Sequence, residues 1–302
     1  MIRVLVLGAD GFVGRRVVAA LAASDWAQPI AQTVPARLDQ ALQTVDCVAN
    51  CVGGRPTGVT RAAHALFDAA ASSGRAVPIV HLSSMTVYGS ARGIVTEESP
   101  LLPDLGPYSQ AQCDAERLAA ANPNTIRLRP GCEYGPDCPQ WTERVARWLL
   151  RRRLGDLGAG GDGFCNLLFI EDLVAAILAA LRRPELGGRA FNLALPAPPT
   201  WNEYFIGFAK ALGAVPVRRV TRRRLTLETK LLAPPLKVAE MLIGRMGVAP
   251  AGLPPAIPPS LLRLCRQEIR LDVRQAEVAL GMQWTALENG LLRAAQWCRR
   301  PL

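Results

Sequence analysis

The chain has 302 residues, of which half are hydrophobic and a fifth are charged, and this globular composition excludes an intrinsically disordered protein. The length exceeds one ordinary domain and is too short for three, so we expect one large α/β domain with a smaller second lobe. The formal net charge of +10 comes mostly from arginine; we attribute most of it to solvated surfaces and expect no nucleic-acid partner, because no nucleic-acid-binding motif accompanies it.

The N-terminal segment is predicted to form a strand, a tight turn and a helix. Residues 2–7 are apolar, the run stops at Gly8 and Asp10, and helical periodicity follows over residues 12–23. The apolar run ends before the core of a signal peptide would be complete. No run in the chain approaches the roughly 20 apolar residues that a transmembrane helix needs. We therefore expect a cytoplasmic protein.

The first half of the chain alternates strand and helix candidates. Further strands are predicted at residues 45–52, 77–82 and 125–128. Further helices are predicted at residues 57–73, 107–121 and 140–153. This alternation predicts a Rossmann-type, doubly wound parallel sheet with helices on both faces. Between Gly14 and Asp46 a complete strand-helix-strand pass barely fits.

The second half mixes short strands with helices. Strands are predicted at residues 167–170 and 190–195, and helices at residues 171–183, 225–246, 272–280 and 287–298. Another helix opens with Thr200 and Glu203 at capping-box spacing, and the five prolines of residues 249–259 predict an extended loop. We expect a dinucleotide-binding domain over 1–160, to which later segments return, and a smaller mixed α/β substrate lobe over 161–302.

Two features of this chain raise alternatives to a plain globular role. The amphipathic segment 225–246 is flanked by arginines, as in helices that bind at a membrane interface, but we expect it to pack on its own domain. The eight cysteines lack the spacing of a disulfide scaffold or zinc site, and only two histidines accompany them. We expect reduced thiols and no metal.

Three glycines lie between the first predicted strand and the first predicted helix. Gly8, Gly11 and Gly14 have the spacing Gly-x-x-Gly-x-x-Gly. Without side chains, the backbone can turn sharply and approach a pyrophosphate at the N terminus of the helix. The strand before them and the helix after them are the context that this motif requires. The segment therefore predicts binding of a nicotinamide dinucleotide, NAD or NADP.

Several later stretches match one known family in order. They are HLSSMTVYG (81–89), PYSQAQCDAE (107–116), RLRPGCEYGP (127–136), GDGFCNLLFIEDLVAAI (161–177) and LGMQW (280–284). With the glycine motif, they make the chain resemble the extended short-chain dehydrogenase/reductase family, in its NAD-dependent epimerase/dehydratase group. The resemblance implies an NAD(P)-dependent oxidoreductase or epimerase that transfers hydride to or from a nucleotide-linked sugar or a related hydroxy or keto compound.

The same resemblance implies roles for individual residues. Tyr108 would exchange a proton with the substrate oxygen as acid/base, and Ser84 would hydrogen-bond that oxygen. Gln112 occupies the third catalytic position. The implied cofactor contacts are Gly8, Asp10, Gly11, Phe12, Val13, Gly14, Arg15, Cys51, Val52, Gly53, Ser83, Gln112, Pro130 and Gly131. The implied substrate contacts are Thr86, Cys132, Asn166 and Arg266.

The main departure from the family pattern is Gln112. The family has a lysine there, one helical turn after the tyrosine, which binds the nicotinamide ribose and whose charge lowers the tyrosine pKa from its ordinary value of about 10. Gln112 can keep the ribose hydrogen bond but supplies no charge. The first lysine is Lys210, so a substitute cation would be an arginine or a lysine of the second lobe. The first alternative is accordingly a dinucleotide-binding protein with weak or no redox turnover.

Further departures concern the cofactor and the substrate. The acidic residue expected about 20 positions after the glycines, which holds the ribose of NAD, is missing at residues 32–35. Arg15, Arg16 and Arg37 lie where a 2′-phosphate could be bound, so we expect a preference for NADP. Cys132 replaces a frequent asparagine and Cys165 replaces the arginine that contacts phosphate in many sugar-nucleotide enzymes.

The substrate is consequently open at this point. We expect a phosphate-bearing small molecule, with Arg263, Arg266 and Arg270 as candidate replacements for the missing arginine. The second alternative is a reductase of an apolar hydroxy or keto compound. A homodimer is compatible with the sequence.

Overall fold

The computed structural model describes residues 1–33, 37–232, 235–236 and 256–300, which fall into two compact units. The first unit comprises Met1–Gly131, Leu168–Pro196 and Leu271–Trp284. The second comprises Cys132–Leu167, Ala197–Arg270 and Thr285–Leu302. Residues 132–160, which the sequence analysis assigns to the dinucleotide-binding domain, thus lie in the second unit, while two later segments return to the first.

The described part of the chain forms the following strands and helices. The strands are β1 Ile2–Leu7, β2 Ala27–Gln32, β3 Cys47–Asn50, β4 Ile79–Leu82, β5 Gly93–Val95, β6 Thr125–Pro130, β7 Cys132–Tyr134, β8 Leu167–Phe169, β9 Ala190–Leu193 and β10 Ile269–Leu271. The helices are α1 Gly14–Ala22, α2 Leu38–Thr44, α3 Pro56–Ser72, α4 Pro107–Ala121, α5 Arg144–Leu150, α6 Ile170–Leu181, α7 Trp201–Leu212, α8 Arg222–Leu227, α9 Pro259–Leu264, α10 Arg274–Leu280 and α11 Leu287–Cys298.

The first unit is built on a six-stranded parallel sheet. Its strand order is β2-β1-β3-β4-β6-β9. β1 pairs with β2 on one side and with β3 on the other, so the chain changes its direction of winding between β1 and β3, where this fold binds ligands. The predicted Rossmann-type, doubly wound parallel sheet is confirmed.

Alternate residues of β1 pack against helices on opposite faces of the sheet. Val4 packs with Val17 of α1, and α6 covers the same face. Leu5 packs with Leu66 of α3, and α4 covers that face. Successive residues of a strand point to opposite faces, which explains why β1 is continuously apolar from Val4 to Leu7 rather than alternating. Complete burial of such a side chain contributes about 1.5–3 kcal/mol of stability.

The edge strand β2 and the helix α2 lie between Gly14 and Asp46, where a complete strand-helix-strand unit was expected barely to fit. Only Ala27 of β2 is buried, so the strand lacks the apolar signal that identifies β1 and β3. Pro29 has no N–H to donate, and an edge strand tolerates this because only one side of the strand needs a partner. An apolar pattern that would predict a strand is therefore absent from residues 27–32.

In the second unit the predicted capping box is confirmed, and two predicted helices differ in extent from those observed. The Oγ1 of Thr200 accepts a hydrogen bond from the Glu203 N–H at 3.1 Å, and the Glu203 carboxylate accepts one from the Thr200 N–H at 2.6 Å. The predicted helix over 140–153 is a π-helical turn, Pro139–Glu143, followed by α5. Of the predicted helix 225–246, α8 and a π-helical turn at Glu228–Leu232 are described, and most of the rest lies outside the described residues.

The loop predicted at 249–259 is described only from residue 256, where three irregular residues precede α9. Among the residues that the structure describes, none of the helices has the length and apolar character that crossing a membrane demands.

Candidate functional site

The predicted cofactor residues of the first unit lie at one edge of its sheet. Gly8 follows β1, Cys51 follows β3, Ser83 follows β4 and Gly131 follows β6. All these strands are parallel, so their carboxyl ends meet at the same edge, which is where open α/β sheets bind ligands. Residues that are more than 120 positions apart in sequence are thereby brought to one place.

Close backbone contacts leave little or no room for a side chain at the three positions of the glycine turn. Gly8 has a φ of +71°, in the left-handed region that favours glycine, and a Cβ there would lie 3.0 Å from the Cys51 carbonyl oxygen. At Gly14 a Cβ would lie 2.1 Å from the Gly8 carbonyl oxygen. At Gly11 the only such neighbour is the Gly8 oxygen at 3.1 Å. Helix α1 therefore starts directly against the end of β1.

The N terminus of α1 fits an anionic group. Val13 precedes the helix and contributes no side-chain cap, and the first turn contains no acidic residue. The N–H groups of Arg15 and Arg16 donate to the carbonyl oxygens of Gly11 and Val13, so this end of the helix offers an anion the partial positive charge of its dipole. Because the glycine turn also leaves the approach free of side chains, these residues fit a dinucleotide pyrophosphate.

Two arginines of α1 lie close to the same turn. The Arg16 guanidinium donates to the Phe12 carbonyl oxygen at 2.9 Å, and its carbon lies 4.4 Å from the centroid of the Phe12 ring. Arg15 is exposed, 5.9 Å from the same centroid. β2 ends at Gln32, whose carbonyl oxygen accepts a hydrogen bond from the Gly8 N–H at 2.9 Å. The end of β2 therefore lies beside the glycine turn, and residues 32 and 33 carry no acid.

Asn50 and His81, which belong to none of the predicted site residues, hold the segment that follows β3. The Asn50 amide donates to Nδ1 of His81 at 3.0 Å, and its oxygen accepts from the Val52 N–H at 3.3 Å. Both side chains are buried. A polar residue ending an apolar strand was the only available signal. The pair fixes the backbone of the predicted cofactor contacts Cys51 and Val52.

Acidification tests the His81–Asn50 pair. Burial lowers the pKa of His81 from 6.5 to about 4, so the unfolded chain takes up this proton at a higher pH than the folded protein does. The stability contributed by the neutral ring is complete above pH 6.5 and is lost as the pH falls towards 4, by at most about 1.4 kcal/mol per pH unit. We expect the free energy of unfolding in urea to fall over this range, and to fall less in His81→Gln.

His64→Gln is the matched control, because His64 is exposed and is the other histidine of the chain. Glu133 acts in the opposite direction: burial raises its pKa from 4.5 to about 7, so its contribution is complete below pH 4.5 and is lost as the pH rises through 7. Comparing each variant with the wild type cancels that term. Equal pH slopes for His81→Gln and the wild type would contradict the role of His81.

Ser84 begins the turn that carries the predicted catalytic hydroxyl. It precedes a 3-10 turn, Met85–Tyr88, and its Oγ accepts a hydrogen bond from the Thr86 N–H at 3.2 Å. The hydroxyl hydrogen of Ser84 is thus left to donate elsewhere. The hydroxyl oxygens of Ser83 and Thr86 are buried and have no hydrogen-bond partner among the described residues.

Tyr108 and Gln112 are directly joined. Both lie on α4, four residues apart, and Nε2 of Gln112 donates to the Tyr108 hydroxyl at 2.9 Å. Gln112 is 2% exposed, and its Oε1 has no partner among the described residues, whereas Tyr108 is 38% exposed. Leaving a buried amide oxygen without a partner costs about 1–3 kcal/mol. This oxygen is an unused acceptor beside an accessible phenol.

Ser109 connects α4 to the Ser84 turn. Its Oγ donates to the Thr86 carbonyl oxygen at 2.9 Å, and its side chain is buried. This contact fixes the first turn of α4, which carries Tyr108, against the turn that Ser84 begins. A serine next to the predicted acid/base, on the buried face of its helix, gave no distinguishing signal in the sequence.

A second tyrosine near this turn is fully buried in a polar network. The Tyr88 hydroxyl donates to Asn192 at 2.6 Å and accepts from Arg129 at 2.7 Å, and Arg129 also donates twice to the Glu116 carboxylate. Burial raises the pKa of Tyr88 to about 12, although Arg129 acts in the opposite direction. Tyr88 is therefore a structural residue, and Tyr108 is the tyrosine accessible to a ligand.

In the second unit, Cys132 and Asn166 make hydrogen bonds with neighbouring backbone groups. The Cys132 N–H donates to the Asn166 carbonyl oxygen at 2.6 Å, and the Asn166 amide donates to the Ile269 carbonyl oxygen at 2.9 Å. The Cys132 thiol neighbours the buried thiol of Cys165, whose pKa is raised by burial. Arg266 is exposed. Substrate contact by these residues stays a prediction.

All eight cysteines are free thiols. Within the described ranges, no group of three histidine, cysteine or acidic side chains is placed to hold a metal ion.

Comparisons with known proteins show which family the chain resembles in sequence. The family model described as NAD dependent epimerase/dehydratase family matches residues 4–194. Among curated proteins, Protein YeeZ of Escherichia coli (strain K12) is 29% identical over 145 residues, which cover 46% of this chain and 47% of YeeZ. The match thus spans about half the length of that relative.

Solved structures are similar over nearly the whole chain. MoeE5 in complex with UDP-glucose and NAD has a TM-score of 0.71 at 22% identity, covering 98% of both chains. UDP-glucuronic acid 4-epimerase from Bacillus cereus in complex with NAD has a TM-score of 0.73 at 16% identity, also covering 98% of both. RMD from Pseudomonas aeruginosa complexed with NADPH has a TM-score of 0.70 at 19% identity, covering 99% of this chain and 100% of that one. These likenesses establish the fold.

Proposed function

The chain belongs to the NAD dependent epimerase/dehydratase family, and from this premise we propose that it is an NAD(P)-dependent oxidoreductase or epimerase with Tyr108 as its acid/base. The observation that carries the proposal is the hydrogen bond from Gln112 to the Tyr108 hydroxyl at 2.9 Å. It gives the accessible phenol a donor in the position where the resemblance implies a lysine. A donor to the phenol oxygen favours the tyrosinate, the form that accepts a proton.

The division of roles follows from the hydrogen-bonding capacity of each group. When bound, the nicotinamide accepts or supplies the hydride. The turn of Gly8, Gly11 and Gly14 and the N terminus of α1 would hold the pyrophosphate. Ser84 has its Oγ lone pair occupied by the Thr86 N–H, so its O–H can donate to the substrate oxygen.

Gln112 serves the phenol and the cofactor with different atoms. Its Nε2 donates to the Tyr108 hydroxyl, and its unpartnered Oε1 can accept a hydrogen bond from a ribose hydroxyl. The family's lysine combines both tasks with a full positive charge. The amide provides the hydrogen bonds alone, so proton transfer at Tyr108 proceeds without a neighbouring cation from this position.

We further propose a nucleotide-linked sugar or a related hydroxy compound as substrate. The neighbours crystallised with UDP-glucose and NAD or named as UDP-sugar epimerases share the fold of this chain. Exposed Arg263, Arg266 and Arg270 supply cations for a phosphate-bearing substrate. Incubation with NAD and NADP and a panel of nucleotide sugars, with absorbance and product chromatography as readouts, tests this assignment.

Two alternatives have observations in their favour. The neutral Gln112 favours a protein that binds the dinucleotide with weak or no turnover. The thiols of Cys132 and Cys165 are buried, and Cys165 stands where the resemblance implies an arginine that contacts phosphate; both observations favour an apolar hydroxy or keto substrate. Thermal-shift titration separates the three, because a ligand of the native state raises the unfolding temperature. Stabilisation by the dinucleotide alone, without turnover of any compound, would favour the binding protein.

The cofactor preference gives a direct prediction. We expect NADP to bind more tightly than NAD, because Arg15 and Arg16 lie beside the glycine turn and no acid occupies residues 32 and 33. A charge-assisted hydrogen bond to phosphate contributes about 1.5–3 kcal/mol, so Arg15→Ala should weaken NADP binding roughly tenfold or more. Calorimetric titration with both cofactors measures this.

The matched control is Arg61→Ala, which removes an exposed arginine from α3. It should leave both affinities unchanged, and Arg15→Ala should leave NAD binding unchanged. Tighter binding of NAD by the wild type, or an unaltered NADP affinity in Arg15→Ala, would reverse the assignment of the 2′-phosphate contact.

A further inference from the structure

The second unit carries two segments that are rich in cations and lack acids. Residues 144–155 and 204–227 contain eleven arginine and lysine residues and no aspartate or glutamate. These are Arg144, Arg147, Arg151, Arg152, Arg153, Lys210, Arg218, Arg219, Arg222, Arg223 and Arg224. The proposed chemistry of the first unit uses none of them.

Contacts within the unit bring these segments together. The Arg224 guanidinium donates to the Arg152 carbonyl oxygen at 3.4 Å, which places the start of α8 beside the end of α5. The backbone of Asp156 exchanges hydrogen bonds with Arg218 and Val220 on the following loop, at 3.1 and 2.7 Å. The end of α5 and the segment around the start of α8 are therefore neighbours, and their exposed arginines lie on one surface region of the second unit.

Two nearby acids, Asp156 and Glu228, are already paired with arginines. The Asp156 carboxylate pairs with Arg219 at 3.5 Å, and the buried Glu228 carboxylate accepts from Nε of Arg153 at 3.0 Å. The remaining arginines of this surface thus carry charge that these carboxylates do not offset. The exposed ones are Arg147, Arg151, Arg152, Arg218 and Arg223.

Leucines are exposed among these arginines. Leu150 at the end of α5 is 53% exposed, Leu227 at the end of α8 is 52% exposed, and Leu231 on the following turn is 65% exposed. An anionic nucleic acid backbone would gain nothing from leucine, and base stacking would need exposed aromatic rings. The interfacial region of an anionic lipid bilayer accommodates both groups, since headgroups attract arginine and the acyl boundary takes up leucine.

We propose that this arginine–leucine surface, formed by Arg147, Leu150, Arg151, Arg152, Arg218, Arg223 and Leu227, binds an anionic lipid membrane peripherally. The binding is electrostatic at long range and is completed by insertion of the leucines. It is independent of the proposed activity, because the residues of the surface differ from those assigned to cofactor and substrate.

Co-sedimentation of the full chain with lipid vesicles tests the proposal. Vesicles of phosphatidylcholine containing about one third phosphatidylglycerol should bind the protein at physiological ionic strength, and vesicles of phosphatidylcholine alone should not. The double charge reversal Arg151→Glu with Arg218→Glu should lower the bound fraction roughly tenfold. Leu150→Ser with Leu227→Ser should keep binding at low salt and lose it at physiological salt, because only the electrostatic part remains.

The matched control reverses two exposed arginines of the first unit, Arg61→Glu with Arg92→Glu. It has the same net charge as the first double variant, so it should bind vesicles like the wild type if the surface, and not total charge, is responsible. Circular dichroism and unchanged NADP affinity verify that every variant is folded. Equal loss of binding in both double reversals, no binding to anionic vesicles, or stronger binding to an oligonucleotide than to vesicles would overturn the proposal.

Discussion

Replacing Tyr108 with phenylalanine should lower turnover by about two to four orders of magnitude, the usual contribution of a positioned acid/base. The hydroxyl that exchanges the proton is removed, while the ring and the start of α4 remain. Because Tyr108 is 38% exposed and its hydroxyl contacts Gln112, the variant should fold and bind cofactor normally. Steady-state rates with the best substrate of the panel, beside calorimetric cofactor affinity, measure the two effects separately.

Gln112→Lys tests the same assignment in the opposite direction. An ordinary tyrosine has a pKa of about 10, so at pH 7 only about one in a thousand is ionised, and the wild-type rate should rise towards alkaline pH. An ammonium at position 112 favours tyrosinate, and each pKa unit is a tenfold change in its fraction at neutral pH. We expect a faster rate at pH 7 and a pH profile displaced downwards.

Gln110→Lys is the matched control, because it adds the same charge to the exposed face of α4, where Gln110 hydrogen-bonds Asp114. Its pH profile should follow the wild type. An active enzyme that Tyr108→Phe leaves unaffected would transfer the proton through another group. Cofactor binding without turnover at any pH, in both the wild type and Gln112→Lys, would favour the dinucleotide-binding alternative.

Gly11→Val should abolish dinucleotide binding while the fold is kept. A Cβ at Gly11 meets the Gly8 carbonyl oxygen at 3.1 Å and no other neighbour within 4 Å, so the turn accommodates the side chain with a small displacement. The isopropyl group then fills the space through which the pyrophosphate approaches the N terminus of α1. Calorimetric titration should show no binding of NAD or NADP, with an unfolding temperature near that of the wild type.

Substitutions at two other glycines serve as comparisons for Gly11→Val. A Cβ at Gly14 would lie 2.1 Å from the Gly8 oxygen, so Gly14→Val should destabilise the protein as well as remove binding. Gly58→Val is the matched control, since a Cβ there meets nothing within 4 Å, and it should leave cofactor affinity unchanged. Retained affinity in Gly11→Val would disprove the role of the turn.

The elements that were predicted correctly are those in which burial alone determines the pattern of apolar residues. β1, α4 and α11 lie at the predicted residues, because strands covered on both faces are continuously apolar and amphipathic helices repeat every 3.6 residues. β2 was missed because an edge strand needs no such pattern. The chain's break at 139–143 into a π-helical turn was missed because apolar residues at helical spacing do not reveal a change of pitch.

The candidate site was predictable to the extent that it consists of local motifs. The Gly8 turn and the four-residue spacing of Tyr108 and Gln112 are short-range features. Asn50, His81 and Ser109 were missed, because their roles depend on partners that the sheet and α4 bring to them from elsewhere in the chain. The direct bond between Gln112 and Tyr108 was also not anticipated, since spacing shows that two side chains share a face but not which atoms meet.

The late arrival of β9 has a consequence for synthesis of the protein on the ribosome. The side-chain oxygen of Asn192, in β9, accepts a hydrogen bond from the Tyr88 hydroxyl. The Asn192 amide nitrogen donates to the carbonyl oxygens of Val95 and Asp272, each at 3.2 Å. A nascent chain that has emerged only to residue 160 therefore exposes β6 as a sheet edge and leaves the polar network of Tyr88 incomplete. The first unit is complete only after residue 284 has emerged, so we expect an N-terminal fragment that ends at residue 160 to be unstable.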